Sequence, residues 1–378
     1  MRYLILLIFL SCSGKSDQNS CGYFSEHEIS IDTIRIEANN EILYLKGDII
    51  GADVSKDKKY LYNFNPYDHT LEEINLNEHR LDCKIPFDRE GPNGTGQITS
   101  RIQVYGKDKI VIQGNVFSMD GQKLTSVNPR DLLLNWANGD YPISKPIFND
   151  EMDKLFTVIN DFENKRNVLG IIDIADQEVY EIPLDNFKDF KNFTFTLQGG
   201  SGSVRTTPNL DMDKFDSKLV VSNQVTSTLL VYDISLDTMH TKKYQTSLFN
   251  NEKINSYKLT HEIEAWEDYQ LEYSRFYQEI NFLAPFWDEK NQIYYRFSFK
   301  ELPTASKTVD HIKCKVYITA LDKDFNLLGE IEVPKFTKIP IEGTFRKFPK
   351  HFAKDGNIWI FENLMDEMGF VRINLSES

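Results

Sequence analysis

Cysteine is scarce in this chain, which excludes two common ways of holding a protein or a metal together. The 378 residues include only Cys12, Cys21, Cys83 and Cys314, and no two of them have the two-residue spacing of a zinc site. The seven histidines are scattered without ligand spacing. We therefore predict no metal ligands, no cofactor and no disulfide framework. Strand-like alternation around Cys83 and Cys314 favours buried free thiols over a bridge between the two.

A surplus of positive charge is also missing. The chain has 43 basic and 57 acidic side chains, which give it a formal net charge of -14. Binding to nucleic acid depends on clustered lysine and arginine, so we expect no nucleic-acid partner. Anionic lipid would repel an acidic surface as well, so a membrane would have to hold this protein by another means than charge.

Long hydrophobic runs are absent beyond the amino terminus. The unbroken apolar run at residues 3–10 is far shorter than the roughly 20 residues that span a bilayer as a helix. A positive residue, an apolar core and a small residue make up a secretory signal. Leu10, Ser11 and Cys12 resemble a lipobox. We therefore predict a signal peptide at residues 1–11 and acylation of Cys12; the alternatives are an ordinary signal with a chance cysteine, or a buried first strand.

Acyl chains on Cys12 would attach the protein to a membrane through a tether that we place at residues 12–30. Each buried methylene contributes about 0.8 kcal/mol, so several long chains hold a protein almost permanently. Ser13 fits sorting to the outer membrane, whereas residues 15–17 are only a faint match to surface-export tags. The predicted location is the cell envelope at the outer membrane, with periplasmic and surface-facing placements both open.

What the sequence does contain is a repeated hairpin. An apolar strand runs into an Asp or Asn, a few turn residues follow, and a second alternating strand completes the unit. Alternation of period two, bounded by Gly, Asn and Asp, is the signal of strands and hairpins. Six copies begin near residues 60, 116, 170, 229, 316 and 358, and most of them follow another short strand.

Several antiparallel strands in each of six units predict an all-β fold. We interpret residues 31–378 as a single β-propeller with six blades, of the TolB-like type. The strand around Ile34 to Ile36 would complete the blade that ends in Ile373 and so close the ring. The alternatives are a large β-sandwich and two stacked all-β domains.

One segment interrupts this rhythm. Residues 262–280 are rich in helix formers and contain neither Gly nor Pro. Apolar side chains recur there at helical spacing, at Ile263, Trp266, Tyr269 and Tyr273. The spacing predicts an amphipathic helix inserted between blades. Packing on the propeller is its expected role, and binding of a partner is the alternative.

A tight turn at residues 87–94 is the candidate binding feature. A Gly-Pro pair followed by Asn93 and Gly94 predicts a positive φ angle at these two residues. The turn would hold Arg89 and Glu90 at a strand end, where propeller faces bind ligands. Arg89, Glu90 and Asn93 are therefore our candidate site residues, and ordinary turn chemistry between blades is the alternative.

Catalytic residues are not predicted, because no arrangement of Ser, His and Asp for nucleophilic catalysis stands out. Six-bladed propellers nevertheless include calcium-dependent lactonases, in which carboxylates and Asn line the central channel. A divalent-metal hydrolase or lactonase is therefore the alternative function. The 18 tyrosines and 26 phenylalanines could stack on sugars, although packing between sheets consumes aromatic rings too.

Two distinctive stretches, residues 282–290 and 294–297, carry a resemblance to a known family. Together with the turn at residues 87–94, the lipobox and the hairpins, they resemble the lipoprotein family catalogued as domain of unknown function 4221, which occurs in Bacteroides and its relatives. The resemblance implies a propeller fold and a lipid anchor, and it transfers no catalytic residues. The predicted function is a lipid-anchored, non-enzymatic module that binds an envelope protein or glycan.

Overall fold

The computed structural model is built almost entirely of β-strands. It describes residues 20–96, 101–127, 141–142, 145–161, 166–199, 202–256, 261–303, 313–333 and 348–377. Within these ranges the strands form seven sheets, of which six have four or five strands and one has three. The predicted all-β class is confirmed.

The amino-terminal half of the described chain forms three large sheets. Two strands that precede them join later sheets, namely β1 (Ser20–Gly22) and β2 (His27–Arg35). Sheet 1 consists of β3 (Asp53–Val54), β4 (Tyr60–Asn65), β5 (Thr70–Asn75) and β6 (Arg80–Pro86). Sheet 2 consists of β7 (Ile102–Tyr105), β8 (Lys109–Ile112), β9 (Asn115–Ser118) and β10 (Lys123–Ser126). Sheet 3 consists of β11 (Tyr141–Pro142), β12 (Ile147–Phe148), β13 (Lys154–Asp161), β14 (Arg166–Asp173) and β15 (Val179–Pro183).

The remaining strands form the small sheet and three more large ones. The small sheet consists of β16 (Phe195–Gly199), β17 (Gly202–Thr206) and β22 (His261–Ile263). Sheet 4 consists of β18 (Leu210–Phe215), β19 (Lys218–Asn223), β20 (Leu229–Asp233) and β21 (Thr238–Lys242). Sheet 5 consists of β1 with β23 (Asn281–Asp288), β24 (Ile293–Glu301), β25 (Cys314–Leu321) and β26 (Leu327–Glu332). Sheet 6 consists of β2 with β27 (His351–Lys354), β28 (Asn357–Asn363) and β29 (Met368–Glu377).

An Asp or Asn at the end of a strand closes the turn in several of the hairpins. Asp173 Oδ1 accepts hydrogen bonds from the backbone N–H groups two and three residues later, at 3.0 and 3.1 Å. Asp233 Oδ1 does the same at 2.9 and 3.1 Å, and Asn75 Oδ1 does so at 3.1 Å for both. The side-chain oxygen thus replaces a backbone acceptor in the turn. This bond explains why the same residue type recurs at the end of the strand.

Apolar clusters link each large sheet to the next and close a ring. Tyr62 of sheet 1 shares a cluster with Phe117 of sheet 2, and Leu61 of sheet 1 shares another with Trp359 of sheet 6. The β2 strand pairs antiparallel with β29 over nine residues, with Ile34 opposite Phe370. A closed ring of antiparallel sheets is a β-propeller. The predicted closure by the amino-terminal strand is confirmed.

The ordered body begins earlier than the sequence predicted. Residues 12–30 were assigned to a tether, but β1 already pairs with β26 from Ser20, and β2 begins at His27. The cause is that the edge strand β26 offers free backbone groups, which the short β1 segment covers. Residues 20–22 and 27–30, which the sequence analysis assigns to the tether, therefore belong to strands of sheets 5 and 6.

The thiols and the helix also differ in detail from the predictions. Cys83 and Cys314 are both free; Cys314 is buried, but Cys83 is exposed because β6 is the outer strand of sheet 1. The inserted helix α1 spans Trp266–Gln278. Its predicted start at residue 262 is wrong, because Ile263 belongs to β22, which pairs in parallel with β16. The described part also contains 3-10 helices at Tyr23–Glu26, Lys46–Ile49 and Asp185–Phe193.

Candidate functional site: the central channel

A cavity of about 870 Å³ occupies the centre of the ring. Its lining includes residues of β3, β7, β12, β18, β23 and β27, which is one strand from each of the six large sheets. Of these, β3, β7 and β18 are also the first strands of their sheets along the chain. The channel is therefore a place at which all six sheets present side chains to one volume.

Hydrogen bonds between neighbouring sheets fix this inner wall. Asp53 Oδ2 accepts the backbone N–H of Val104 at 2.9 Å, which joins sheets 1 and 2. Tyr105 Oη accepts the backbone N–H of Phe148 at 2.9 Å, which joins sheets 2 and 3. Lys214 Nζ donates to Asp150 Oδ1 at 2.7 Å, which joins sheets 3 and 4. Gln224 Nε2 donates to Asn281 Oδ1 at 3.0 Å, which joins sheets 4 and 5. The charged side chains of the channel thus stand on a rigid frame.

Two aspartates and three lysines dominate the electrostatics of the channel. Lys350 Nζ lies 3.7 Å from Asp53 Oδ1. Burial opposes ionisation of Asp53, but the positive charges of Lys145 and Lys350 outweigh it and hold the pKa of this carboxyl below its usual value. Burial raises the pKa of Asp213 to about 6, and the lysines oppose that shift only in part. Burial also lowers the pKa of Lys58 and of Lys350.

Neutral polar and aromatic groups complete the wall. Burial lowers the pKa of His351 to about 4, so its ring is neutral at physiological pH, and its Nδ1 lies 2.8 Å from the carbonyl oxygen of Pro349. Phe286 and Trp287 of β23 also line the cavity. The channel can therefore accept hydrogen bonds through carboxylates, donate them through ammonium groups and offer aromatic surface to a ligand.

Helix α1 lies beside one end of the channel. The ring centroids of Tyr277 and Phe299 are 6.3 Å apart, and Phe299 lines the cavity. Lys253 Nζ donates to the carbonyl oxygen of Phe276 at 2.6 Å and to Asn281 Oδ1 at 2.8 Å, which ties the end of the helix to sheet 5. Packing on the propeller, the role expected of the inserted helix, agrees with these contacts.

The candidate turn at residues 87–94 lies outside the channel. Arg89 and Glu90 are exposed between β6 and β7, and Asn93 Oδ1 accepts the backbone N–H of Lys123 at 3.2 Å. The positive φ angles occur at Gly91 (87°) and Gly96 (89°), not at Asn93 and Gly94 as predicted. Gly94 is required for another reason, because an added Cβ would lie 2.8 Å from the backbone of Glu90. A binding role for this turn stays a prediction.

Sequence reasoning missed the charged residues of the channel. Asp53 lies in a strand of only two residues, and Lys58 lies in the turn that follows. Such short strands show no alternation, so the pattern that revealed the hairpins did not reveal the inner wall. Cys12 lies outside the described residues.

The described ranges contain neither a metal-binding cluster nor a membrane-spanning helix. No group of three or more His, Cys, Asp or Glu side chains there is placed to hold a metal ion. Among the same residues, no helix has the length and apolar character needed to cross a membrane.

The fold and the channel define a β-propeller-like protein with a polar central cavity. The chain belongs to the family of the domain of unknown function DUF4221, which matches residues 24–332. A solved family member from Bacteroides vulgatus is similar at 14% identity with a TM-score of 0.61, over 93% of this chain and 100% of that one. A protein described as exported, from Bacteroides fragilis, is similar at 10% identity with a TM-score of 0.51, over 94% and 97%. A search among curated proteins finds no significant match.

Proposed function

We propose that the protein is a lipid-anchored binding protein of the bacterial outer membrane whose six large sheets act as propeller blades around a glycan. The observation that carries this proposal is the convergence of all six sheets on one cavity of about 870 Å³. Binding sites for small ligands are concave and combine apolar walls with a few fixed polar groups. A cavity of this kind supports ligand capture better than it supports a purely scaffolding role.

A glycan fits the chemistry of this wall better than a protein partner does. Each sugar hydroxyl donates one hydrogen bond and accepts others, and the channel offers acceptors such as Asp213 beside donors such as Lys58. Phe286 and Trp287 add flat rings of the kind that stack on sugars. A protein partner would meet the outer faces of the propeller, whereas the end of a sugar chain can enter the channel.

Binding can be measured on a glycan array with the purified full-length protein in detergent. We expect a restricted set of glycans to bind, and we expect Asp213→Asn and Lys58→Met to change that set or its affinity. Lys59→Met is the matched control, because Lys59 is the exposed neighbour of Lys58 and lies outside the cavity lining. Absence of glycan binding, or equal binding by all three variants and the wild type, would contradict a channel that binds glycans.

The anchor is a separate part of the proposal. Its support is the lipobox that ends in Cys12, together with the description of a similar Bacteroides fragilis protein as exported. A Cys12→Ala variant should lose both incorporation of an acyl label and sedimentation with the outer membrane, and a Cys83→Ser variant should keep both. Retention of the label by Cys12→Ala would overturn lipidation at this residue.

Hydrolysis is the second candidate function, and one observation favours it. The pKa values of Asp53 and Asp213 move in opposite directions, as those of a general base and a general acid do. If the channel hydrolyses the glycan, bound oligosaccharides should gain reducing ends with time, and both Asp53→Asn and Asp213→Asn should stop this release. Intact oligosaccharide after prolonged incubation with the wild type would exclude hydrolysis and leave binding.

A further inference from the structure

We infer that the ligand of the channel is an acidic oligosaccharide, a sugar chain with carboxylate or sulfate groups that lie against Lys58 and its neighbours. This inference rests on the proposed function and adds the charge of the ligand. It follows from the balance of charges around the cavity, from the ion pairs that neutralise some of them, and from the size of the cavity.

The channel reverses the charge balance of the molecule. The chain as a whole has a net charge of -14, but among the described residues eight Lys or Arg and only six Asp or Glu line the cavity. A concave wall of low dielectric constant focuses such a local excess and raises the concentration of ions of opposite sign. Acidic ligands would therefore be attracted to the channel although the rest of the surface repels them.

Ion pairs within the described lining neutralise three acidic side chains and the three lysines that face them. Lys214 lies 2.7 Å from Asp150, and Lys56 lies 3.7 Å from Asp216. Together with the pair between Lys350 and Asp53 described above, these contacts involve three of the six acidic residues in the lining.

Basic side chains remain without such a partner. Among the described residues, Lys58, Arg101 and Lys323 line the cavity and make no ion pair. Lys58 is partly buried, so less water competes there for its ammonium group. Asp213 offsets the positive charge of Lys58 less than a fully ionised carboxylate would, because burial disfavours its ionised form. Asp211, Asp213 and Glu289 also line the described wall, and Lys218 pairs with Asp324 at 3.9 Å just outside it, so a net excess of about one positive charge remains for a ligand to neutralise.

The size of the cavity favours a sugar chain over a small inorganic anion. A volume of about 870 Å³ is close to the upper end of the range, about 300 to 1,000 Å³, that ligand pockets occupy. A single sulfate or phosphate would leave most of this space to water. An oligosaccharide fills it, and its hydroxyl groups can pair with the polar groups that an inorganic anion would not reach.

Matched probes separate charge from sugar structure. Tetragalacturonate and its methyl ester have the same backbone, but the ester carries no charge; a chondroitin sulfate tetrasaccharide supplies a sulfate arm. We expect calorimetry to detect binding of tetragalacturonate, of the sulfated probe or of both. Binding should weaken by about tenfold or more between 50 and 300 mM salt, because salt screens charges, and the methyl ester should not bind.

Two variants with opposite expected effects test the role of charge in the channel. Lys58→Met should weaken binding of the acidic probe by about tenfold, and Asp213→Asn should strengthen it severalfold, since each alters the wall by one charge in opposite directions. Lys59→Met should bind as the wild type does. A purely structural disturbance would weaken binding in both channel variants, and that result would overturn the inference.

The outcomes also separate this inference from the proposed function. If the methyl ester or neutral glycans of the array bind as well as the acidic probes, the channel binds glycans and its preference for acidic ones is wrong. If no glycan binds on the array or in solution, both statements fail. Binding of acidic probes alone, with the salt dependence and the two opposite variant effects, supports both.

Discussion

Asp213 shows how one residue couples the channel to the stability of the whole protein. Burial raises the pKa of its carboxyl to about 6, from an ordinary value of 3.8. Between these two values the folded protein binds more protons at this site than the unfolded chain does. The free energy of unfolding therefore decreases as the pH rises through this window, which runs from about 4 to about 6.

The Asp213→Asn variant should remove the loss of stability that ionisation of this buried carboxyl causes. At pH 7.5 we expect the variant to be more stable than the wild type by up to about 3 kcal/mol, and at pH 4 the difference should be small. Urea unfolding at the two pH values measures it. Asp216→Asn is the control, since Asp216 lies in the turn directly after the same strand but is exposed, and it should show no such pH dependence. Equal stability of Asp213→Asn and wild type at pH 7.5 would contradict the role of burial.

Arg296 is a structural residue that the sequence placed in a distinctive stretch without explaining it. Its side chain is fully buried between sheets 4 and 5. Nε donates to the carbonyl oxygen of Leu283 at 2.6 Å, and Nη1 donates to that of Ser227 at 2.7 Å and to Tyr244 Oη at 2.9 Å. One guanidinium thus satisfies backbone acceptors from two sheets, which explains an arginine within an otherwise aromatic strand.

Replacement of Arg296 by Lys should destabilise the protein strongly. Lys keeps the charge but lacks the planar fork, so at least one buried carbonyl loses its donor, and each such loss costs about 1 to 3 kcal/mol. Thermal unfolding should show a decrease of several degrees for Arg296→Lys. Arg275→Lys, on the exposed face of α1, should unfold as the wild type does. An unchanged midpoint for Arg296→Lys would show that these hydrogen bonds contribute little.

At the scale of the element, the Asx turns make the hairpins recognisable and should contribute to their stability. Removal of the two hydrogen bonds to Asp233 Oδ1 by Asp233→Ala should cost about 1 kcal/mol. Asp233→Asn keeps the acceptor and should cost less. Denaturant unfolding compares the two variants. If both lose the same stability, the charge of Asp233 and not its turn bonds stabilises this hairpin.

These turns also explain how much of the fold the sequence could predict. Strands such as β4 and β20 are long enough to alternate and end in an Asp or Asn, so pattern and chemistry agree. The inner strands β3 and β12 have two residues each. Pairing with a neighbouring strand, and not a pattern in their own sequence, makes them strands. The ring closure was predictable because β2 is long. The channel was not, since its residues come together only when the ring has formed.

At the scale of the whole molecule, the short tether should fix the orientation of the propeller on the membrane. Ser20, where β1 begins, is only eight residue steps from the proposed acyl site at Cys12, with seven residues between the two. A chain extends by at most about 3.5 Å per residue, so this segment reaches about 28 Å. Since β1 lies on the outer edge of sheet 5 beside β26, that edge should face the lipid.

Energy transfer to a lipid dye tests this orientation. Leu328 and Leu124 are both exposed; Leu328 lies on β26, next to β1 in sheet 5, and Leu124 lies on β10, the outer strand of sheet 2. With Cys21 and Cys83 replaced by Ser, a fluorophore on Leu328→Cys should transfer more energy to an acceptor in the membrane than one on Leu124→Cys. Equal transfer at the two positions would show that the propeller is not oriented.

A lengthened tether is the control for this experiment. Twenty Gly and Ser residues inserted after Asn19 form a flexible coil with a mean end-to-end distance of about 25 Å, which adds to the reach of the native segment. The difference between the two labelled positions should then disappear, because the body can rotate freely. With the native tether, we expect one edge of sheet 5 to stay against the lipid, so the channel axis would keep a fixed relation to the membrane and the proposed glycan would approach from the side that the anchor leaves open.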